Sequence, residues 1–305
     1  MSDRKPIACV TGGTGMVGKE IVTGLLTAGY SVRVITRAKQ APVTGVDFYY
    51  GDLTDNNILD QFLDSAEVIF HCAAELNDPK IMYLTNVVAT ERLLSRCSLF
   101  PIKYFCYMSS AGVVGRSESN FISEATTCAP QNEYERTKYL AEKLVMARGG
   151  SGTTVVLRPT NVISFERPGA FLLPIHKGVI NRLKVFVKGG EPAHIVHSRD
   201  VARAALFFLD NKFEQPECFF VGNDEAESNT FAGVWGIYSS VRSNVETPSV
   251  PLHLPQFFPR LLRRLLCGRF SNGSVCYSSE KLRKHGFEMT LNLNRIALEL
   301  VKIYG

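Results

Sequence analysis

The chain holds 305 residues, 45% of them hydrophobic and 21% charged, with a formal net charge of +5. This balance excludes disordered and fibrous classes, and a charge spread thinly along the sequence fits an anionic small ligand better than nucleic acid. Charged residues, Pro or Gly interrupt every apolar run before bilayer-spanning length, and the opening Met1-Ser2-Asp3-Arg4-Lys5-Pro6 lacks a signal-peptide pattern, so the expectation is a cytoplasmic protein with no membrane span.

From residue 7 to about 162, short β-branched or apolar runs alternate with helical periodicity. Strands are predicted at 7–10, 31–35, 47–50, 67–72, 103–109 and 154–157, and helices near 17–28, 57–63, 82–97 and 134–147. Crossover helices between strands force a parallel sheet covered on both faces, so the fold class is α/β, a Rossmann-type doubly wound parallel sheet. Beyond residue 162 the alternation fades, which predicts a smaller C-terminal lobe at 163–305, partly interleaved with the first domain at 1–162. Eight cysteines without Cys-x-x-Cys spacing read as reduced, mostly buried thiols rather than disulfides or zinc ligands.

The first strand runs directly into Thr11-Gly12-Gly13-Thr14-Gly15-Met16-Val17-Gly18 and then a helix. Glycines at such a turn let the backbone approach a pyrophosphate, whose charge the helix N-terminus favours, so the segment reads as a dinucleotide-binding loop. An acid at the end of the second strand would bind a ribose 2′-hydroxyl and repel a 2′-phosphate; Arg37 stands there instead and points to NADP(H), with NAD(H) the alternative. Asp52, after the third strand, is placed to reach the adenine.

Tyr134 and Lys138 lie four apart on one predicted helix, hence on one face. An ammonium about 4 Å from a phenol is worth roughly 4 kcal/mol at an effective dielectric near 20, which is expected to draw the phenol's pKa down. Ser109 and Ser110 end the preceding strand, where groups of an open parallel sheet gather. His194 and His197, three apart in an extended segment, diverge and argue against a metal pair. An amphipathic basic stretch at 255–266 places leucines on one stripe and Arg260, Arg263 and Arg264 on another. It reads as lobe packing, as a contact with an apolar substrate or a membrane surface, or as a site for an anionic partner.

These motifs resemble the extended short-chain dehydrogenase/reductase family of nucleotide-sugar epimerases and dehydratases, dihydroflavonol-type reductases and 3β-hydroxysteroid dehydrogenases. The resemblance rests on the Thr11 to Gly18 loop, Asp52-Leu53, His71-Cys72-Ala73-Ala74, Asn86-Val87 with Thr90, Tyr134 to Lys138, Arg158-Pro159-Thr160-Asn161-Val162 and His197 to Ala202. It implies Ser110, Tyr134 and Lys138 as catalytic residues. It also implies a cofactor site of Gly12, Gly13, Thr14, Gly15, Met16, Val17, Arg37, Asp52, Leu53, Ala73, Ala74, Asn86, Ser109, Tyr134, Lys138, Pro159, Asn161 and Val162. A homodimer through the helices at 82–97 and 134–147 is implied in the same way, as is a substrate-binding role for the C-terminal lobe at 163–305.

Two enzymatic readings stay open. One is an NADP(H)-dependent carbonyl/alcohol oxidoreductase on an apolar substrate, favoured by the lack of an arginine at 190–194. The other is a nucleotide-sugar epimerase, dehydratase or 4-keto-reductase, with Arg182, Lys184 or the Arg260 to Arg264 cluster holding a diphosphate. A third, non-catalytic sensor of NADP(H) is opposed by the intact Ser110, Tyr134 and Lys138.

Overall fold

The computed structural model describes residues 5–117, 119–149, 152–176, 178–255 and 275–305. Strand β1 (Ile7–Thr11) is buried at every position, as a central strand covered on both faces must be. Next come α1 (Met16–Thr27), β2 (Ser31–Thr36), β3 (Val46–Tyr50), α2 (Asn56–Leu63) and β4 (Val68–His71). The helix expected at 82–97 is three joined segments: α3 (Pro79–Met82), a π-helical stretch at Tyr83–Val88, and α4 (Ala89–Cys97). A π stretch rotates the helix face relative to a 3.6-residue period, and here Asn86 ends up buried within it.

After β5 (Tyr104–Met108) and β6 (Phe121–Ile122) come α5 (Glu133–Met146), β7 (Thr153–Pro159), β8 (Asn161–Ile163), α6 (Leu172–Ile175), α7 (Val179–Lys188) and β9 (Ile195–His197). The chain continues through α8 (Ser198–Phe207), β10 (Glu217–Val221), α9 (Phe231–Ser243), β11 (Cys276–Tyr277) and two final helices, Glu280–Lys284 and Leu293–Tyr304. One sheet of seven strands runs in the order β10-β7-β5-β4-β1-β2-β3. Its pairs β1/β2, β2/β3, β1/β4, β4/β5 and β5/β7 are parallel. The order reverses between β1 and β4, the position where a doubly wound sheet opens a crevice beyond its strand ends.

Two compact units divide the chain. The first comprises Met1–Val113, Pro130–Arg158 and Val201–Phe219; the second comprises Val114–Ala129, Pro159–Asp200 and Phe220–Gly305. Segments 114–129 and 201–219 cross a boundary near residue 162, and hydrophobic periodicity, which reports local elements, carries no record of which unit such a returning segment joins. The second unit holds the short pairs β8/β9 and β6/β11 around a core that includes Phe171, Ile195, Tyr238, Ile296 and Leu300. Among the described residues no helix is long and apolar enough to cross a membrane, and the seven described cysteines are free.

Two polar assemblies are buried in the first unit. Glu142 on α5 accepts from Arg158 at 2.5 and 3.1 Å and from the Ser109 hydroxyl at 2.6 Å, with both ionic side chains buried. The second assembly centres on His71. Thr90 donates to the Asn86 carbonyl (2.7 Å), so its oxygen accepts from His71 Nε2 (2.8 Å). Nδ1 must then accept from the Thr11 hydroxyl (2.6 Å), which itself accepts from the Ala73 N–H (3.2 Å). Asn86 Nδ2 donates onward to Thr137 (3.1 Å), whose hydroxyl donates to the Glu133 carbonyl on α5 (2.9 Å).

Both assemblies make predictions. Glu142→Ala removes the carboxylate from a buried guanidinium and is expected to cost about 3–5 kcal/mol, read from the urea midpoint. Burial, with the Lys138 charge adding, pushes the His71 pKa down to about 3. Because the unfolded chain takes this proton first, the contribution is whole above about pH 6.5 and is lost as pH falls toward 3, amounting to about 2 kcal/mol at pH 5. Urea melts at pH 7 and pH 5 should show a decline that is smaller in His71→Gln by that amount.

Candidate active site

The loop after β1 is shaped around its glycines. Gly12 has φ +66°, and a Cβ there would lie 2.6 Å from the Ala73 nitrogen; a Cβ on Gly18 would lie 2.1 Å from the Gly12 oxygen. Only glycine fits either place. Gly15 caps α1 with no side-chain bond, and the first turn carries no acid, so the N-terminal N–H groups there are not claimed by a capping side chain. This cradle suits a pyrophosphate by both shape and charge.

Arg37 is exposed just past β2, and its charge lowers the pKa of Glu75, though less than the backbone hydrogen bonds to Glu75 do. Arg33, two residues into the same strand, is structural: it donates to the Gln61, Phe62 and Asp64 carbonyls at the end of α2. Asp52 is exposed and accepts from the N–H and hydroxyl of Thr54. Leu53 is buried in the core cluster with Ile35, Leu59 and Phe62, so its backbone rather than its side chain is available to an adenine.

Three expected cofactor contacts have other partners. Asn86 accepts from the Glu75 N–H (2.7 Å) and donates to the Glu75 carbonyl and Thr137, so it clamps the chain after Ala73-Ala74. The Ser109 hydroxyl is turned to Glu142. The Lys138 ammonium donates to the Met108 carbonyl at 2.5 Å and lies 4.2 Å from the Tyr107 ring centre.

Tyr134 and Ser110 do meet. Asn132 caps α5 through the Glu135 N–H (2.9 Å), and Glu135 reaches back to the Gln131 N–H (2.6 Å), which fixes the first helical turn where Tyr134 sits. The Tyr134 phenol is hydrogen-bonded to the Ser110 hydroxyl. Ser110, just past β5, also accepts from the Gly112 N–H (3.1 Å). The expected depression of the phenol by Lys138 is not what the site shows. Burial holds Tyr134 above its ordinary pKa, against the Ser110 bond, and the same burial drives Lys138 down to about 7 against the pull of Cys72 and Glu142. Desolvation outweighs the Ser110 hydrogen bond at Tyr134, where the Glu135 charge also raises the pKa, and outweighs Coulomb attraction at Lys138.

Pro159, Asn161 and Val162 lie in the second unit, where Asn161 donates through its N–H to the His194 carbonyl (2.7 Å) and through Nδ2 to the Ala193 carbonyl (2.9 Å). His194 adopts φ +54°, and its Nδ1 lies 2.5 Å from the buried Asp224 carboxylate. His197 is buried against Phe165, ring centres 4.4 Å apart, and burial first, then Arg199, lowers its pKa to about 4. Sequence reasoning missed Glu142, Thr137 and Asp224. Glu142 had a signal, standing one helical turn after Lys138; Asp224 had none. Arg182 and Lys184 face solvent on α7, whereas Arg260 to Arg264 and the rest of 256–266 lie outside the described residues.

The family described as NAD dependent epimerase/dehydratase matches residues 8–222. A sterol-4-alpha-carboxylate 3-dehydrogenase, decarboxylating, of Dictyostelium discoideum is 29% identical over 67% of this chain and 68% of its own. A UDP-glucose 4-epimerase of Halalkalibacterium halodurans is 30% identical over 44% of each chain. A short-chain dehydrogenase/reductase superfamily protein from Agrobacterium tumefaciens, solved with bound NAD, shares the fold at TM-score 0.75 and 24% identity, covering 97% of this chain and 96% of its own. The chain spans 52%, 65% and 46% of the length of three other curated relatives that it matches. With the glycine cradle, the strand-end residues and the Ser110 to Tyr134 bond in place, the chain belongs to the NAD dependent epimerase/dehydratase family.

Proposed function

We propose that the protein is an NADP(H)-dependent oxidoreductase that interconverts a carbonyl and an alcohol on an apolar, non-nucleotide substrate, with Tyr134 as general acid and base. The observation that carries this reading is the half-buried Tyr134 phenol hydrogen-bonded to Ser110 at the end of β5. A phenol held above its ordinary pKa stays protonated at neutral pH and enters the reaction as the donor, which is the role reduction of a carbonyl requires. Ser110, steadied by the Gly112 N–H, holds the reacting oxygen beside that phenol. A bound nicotinamide would supply the hydride. Gly12, Gly13, Thr14, Gly15, Met16 and Val17 would cradle its pyrophosphate, Asp52 the adenine end, and Arg37 the 2′-phosphate that distinguishes NADP(H).

Lys138, with a pKa near 7, exchanges a proton close to neutrality and is poised to replenish Tyr134 through the ribose hydroxyls that the family resemblance assigns to it. The apolar substrate is supported by the sterol-acting relative and by Ala193, which is buried in a hydrophobic cluster within the stretch where sugar-nucleotide members commonly carry an arginine. The epimerase relative supports the competing sugar-nucleotide reading.

A screen that follows NADPH absorbance with ketones and with nucleotide diphosphate sugars separates the two. Consumption of NADPH with a non-nucleotide ketone is expected; conversion of a sugar nucleotide without net NADPH loss would replace the proposal with an epimerase. Tyr134→Phe should lower kcat about 10²- to 10⁴-fold while the NADPH Kd is unchanged. Arg37→Ser should weaken NADPH binding roughly tenfold to a hundredfold, from about 1.5–3 kcal/mol of charge-assisted hydrogen bonding, with NADH binding little altered. Isothermal titration with both cofactors checks this.

A further inference from the structure

Helix α7 presents an unusual surface. Val179, Ile180, Leu183 and Phe186 are 84%, 70%, 60% and 37% exposed, and their positions i, i+1, i+4 and i+7 form one stripe on the face opposite the buried Val185. Exposed Arg182 borders the stripe on one side and exposed Lys184 on the other, with exposed Lys188 one turn beyond Lys184. Residues 171–190 contain no Asp or Glu. The chain after α9 extends the same surface: the Leu254 N–H donates to the Phe186 carbonyl (2.7 Å), and Val250 and Leu252 in that segment are 54% and 84% exposed. Isolated exposed aliphatics are ordinary on a soluble protein, but a helical stripe of four, widened by the adjoining segment at 250–252 and accompanied on its own helix by cations without an acid, is the arrangement of a helix that lies in a bilayer interface.

We infer that α7, with Val250 and Leu252, is an interfacial membrane-binding surface whose partner is an anionic lipid bilayer. The aliphatic stripe enters the headgroup and acyl boundary, while Arg182, Lys184 and Lys188 stay at the depth of the lipid phosphates. A second protein copy would bury the stripe equally well, but three cations along its edges with no acid among them would repel the same edge of that copy. An anionic surface satisfies the apolar and the charged residues together. The contact is peripheral, since α7 is ten residues long and far short of a span.

The test is flotation of the full chain with phosphatidylcholine–phosphatidylglycerol vesicles and with phosphatidylcholine vesicles. Binding to the anionic vesicles that weakens with salt, and little binding to the neutral ones, is expected. Val179→Ser with Ile180→Ser and Leu183→Ser should abolish flotation while leaving the fold intact by circular dichroism, because all three side chains already face solvent. Neutralising Arg182, Lys184 and Lys188 to Gln should lower the partition coefficient roughly a hundredfold, about fivefold per cation. Failure of the unaltered chain to float, or wild-type flotation by the serine variant, would overturn the assignment. So would a concentration-dependent oligomer that the serine variant dissolves, which gives the stripe to a second copy.

Discussion

A buried polar side chain in a parallel sheet must find partners along the crossover helices, and His71 shows how far that requirement reaches. Its ring lies at the end of β4 with no access to water, so both nitrogens need partners, and the only consistent proton arrangement runs in one direction on each side. One side ends on Thr11 and Ala73, at the turn that becomes the glycine loop. The other passes through Thr90, Asn86 and Thr137 to the Glu133 carbonyl, the residue before Tyr134. The loop that would hold a cofactor and the helix that carries the phenol are therefore set by one chain of hydrogen bonds, and neither end shifts without breaking a buried bond. The Ser109, Glu142 and Arg158 cluster fastens α5 one turn past Lys138 and adds a second fixed point on the same helix.

The electrostatics at Tyr134 follow from that rigidity. A lysine one turn away would lower the phenol's pKa only if its charge were directed at the phenol oxygen, and here the ammonium is held by the Met108 carbonyl over the Tyr107 ring. From the sequence, the phenol's pKa is expected to fall; burial instead holds it above its ordinary value and drives the lysine below its own. Tyr134 is left a firm proton holder and Lys138 a labile one, which is a usable order for a donor and the group that recharges it.

Much of this was legible in the sequence wherever the cause is local. Strand–glycine–helix succession, the four-residue spacing of Tyr134 and Lys138, and the acid-free end of β2 are each set by residues a few positions apart. The parts that escaped depend on pairing across the fold. Asn86 reads as a helix residue of a known motif, yet a π stretch and its bonds to Glu75 and Thr137 make it a clamp. Glu142 reads as a surface acid until Arg158, sixteen residues on, closes over it. Nothing near Asp224 announces a partner thirty residues upstream. The strand β10 was hidden for a different reason: its residues look like a strand, but its return to the first sheet lies beyond the point where alternation fades.

His194 brings the second unit into the same physical scheme. A non-glycine residue at positive φ costs of order 1–3 kcal/mol, and it persists only when its surroundings over-determine it. Those surroundings are visible: its carbonyl receives the Asn161 N–H, its ring is held by Asp224, and Asp224 also receives the Tyr277 N–H at 3.1 Å. Strands β8 and β11 are thus tied through His194, by its carbonyl on one side and its ring on the other, and one buried carboxylate. Asn161 is held in place by the same bonds that sustain the strain at His194. The constraint that fixes loop and helix in the first unit, a buried polar group that must be answered from both sides, fixes the strand ends in the second.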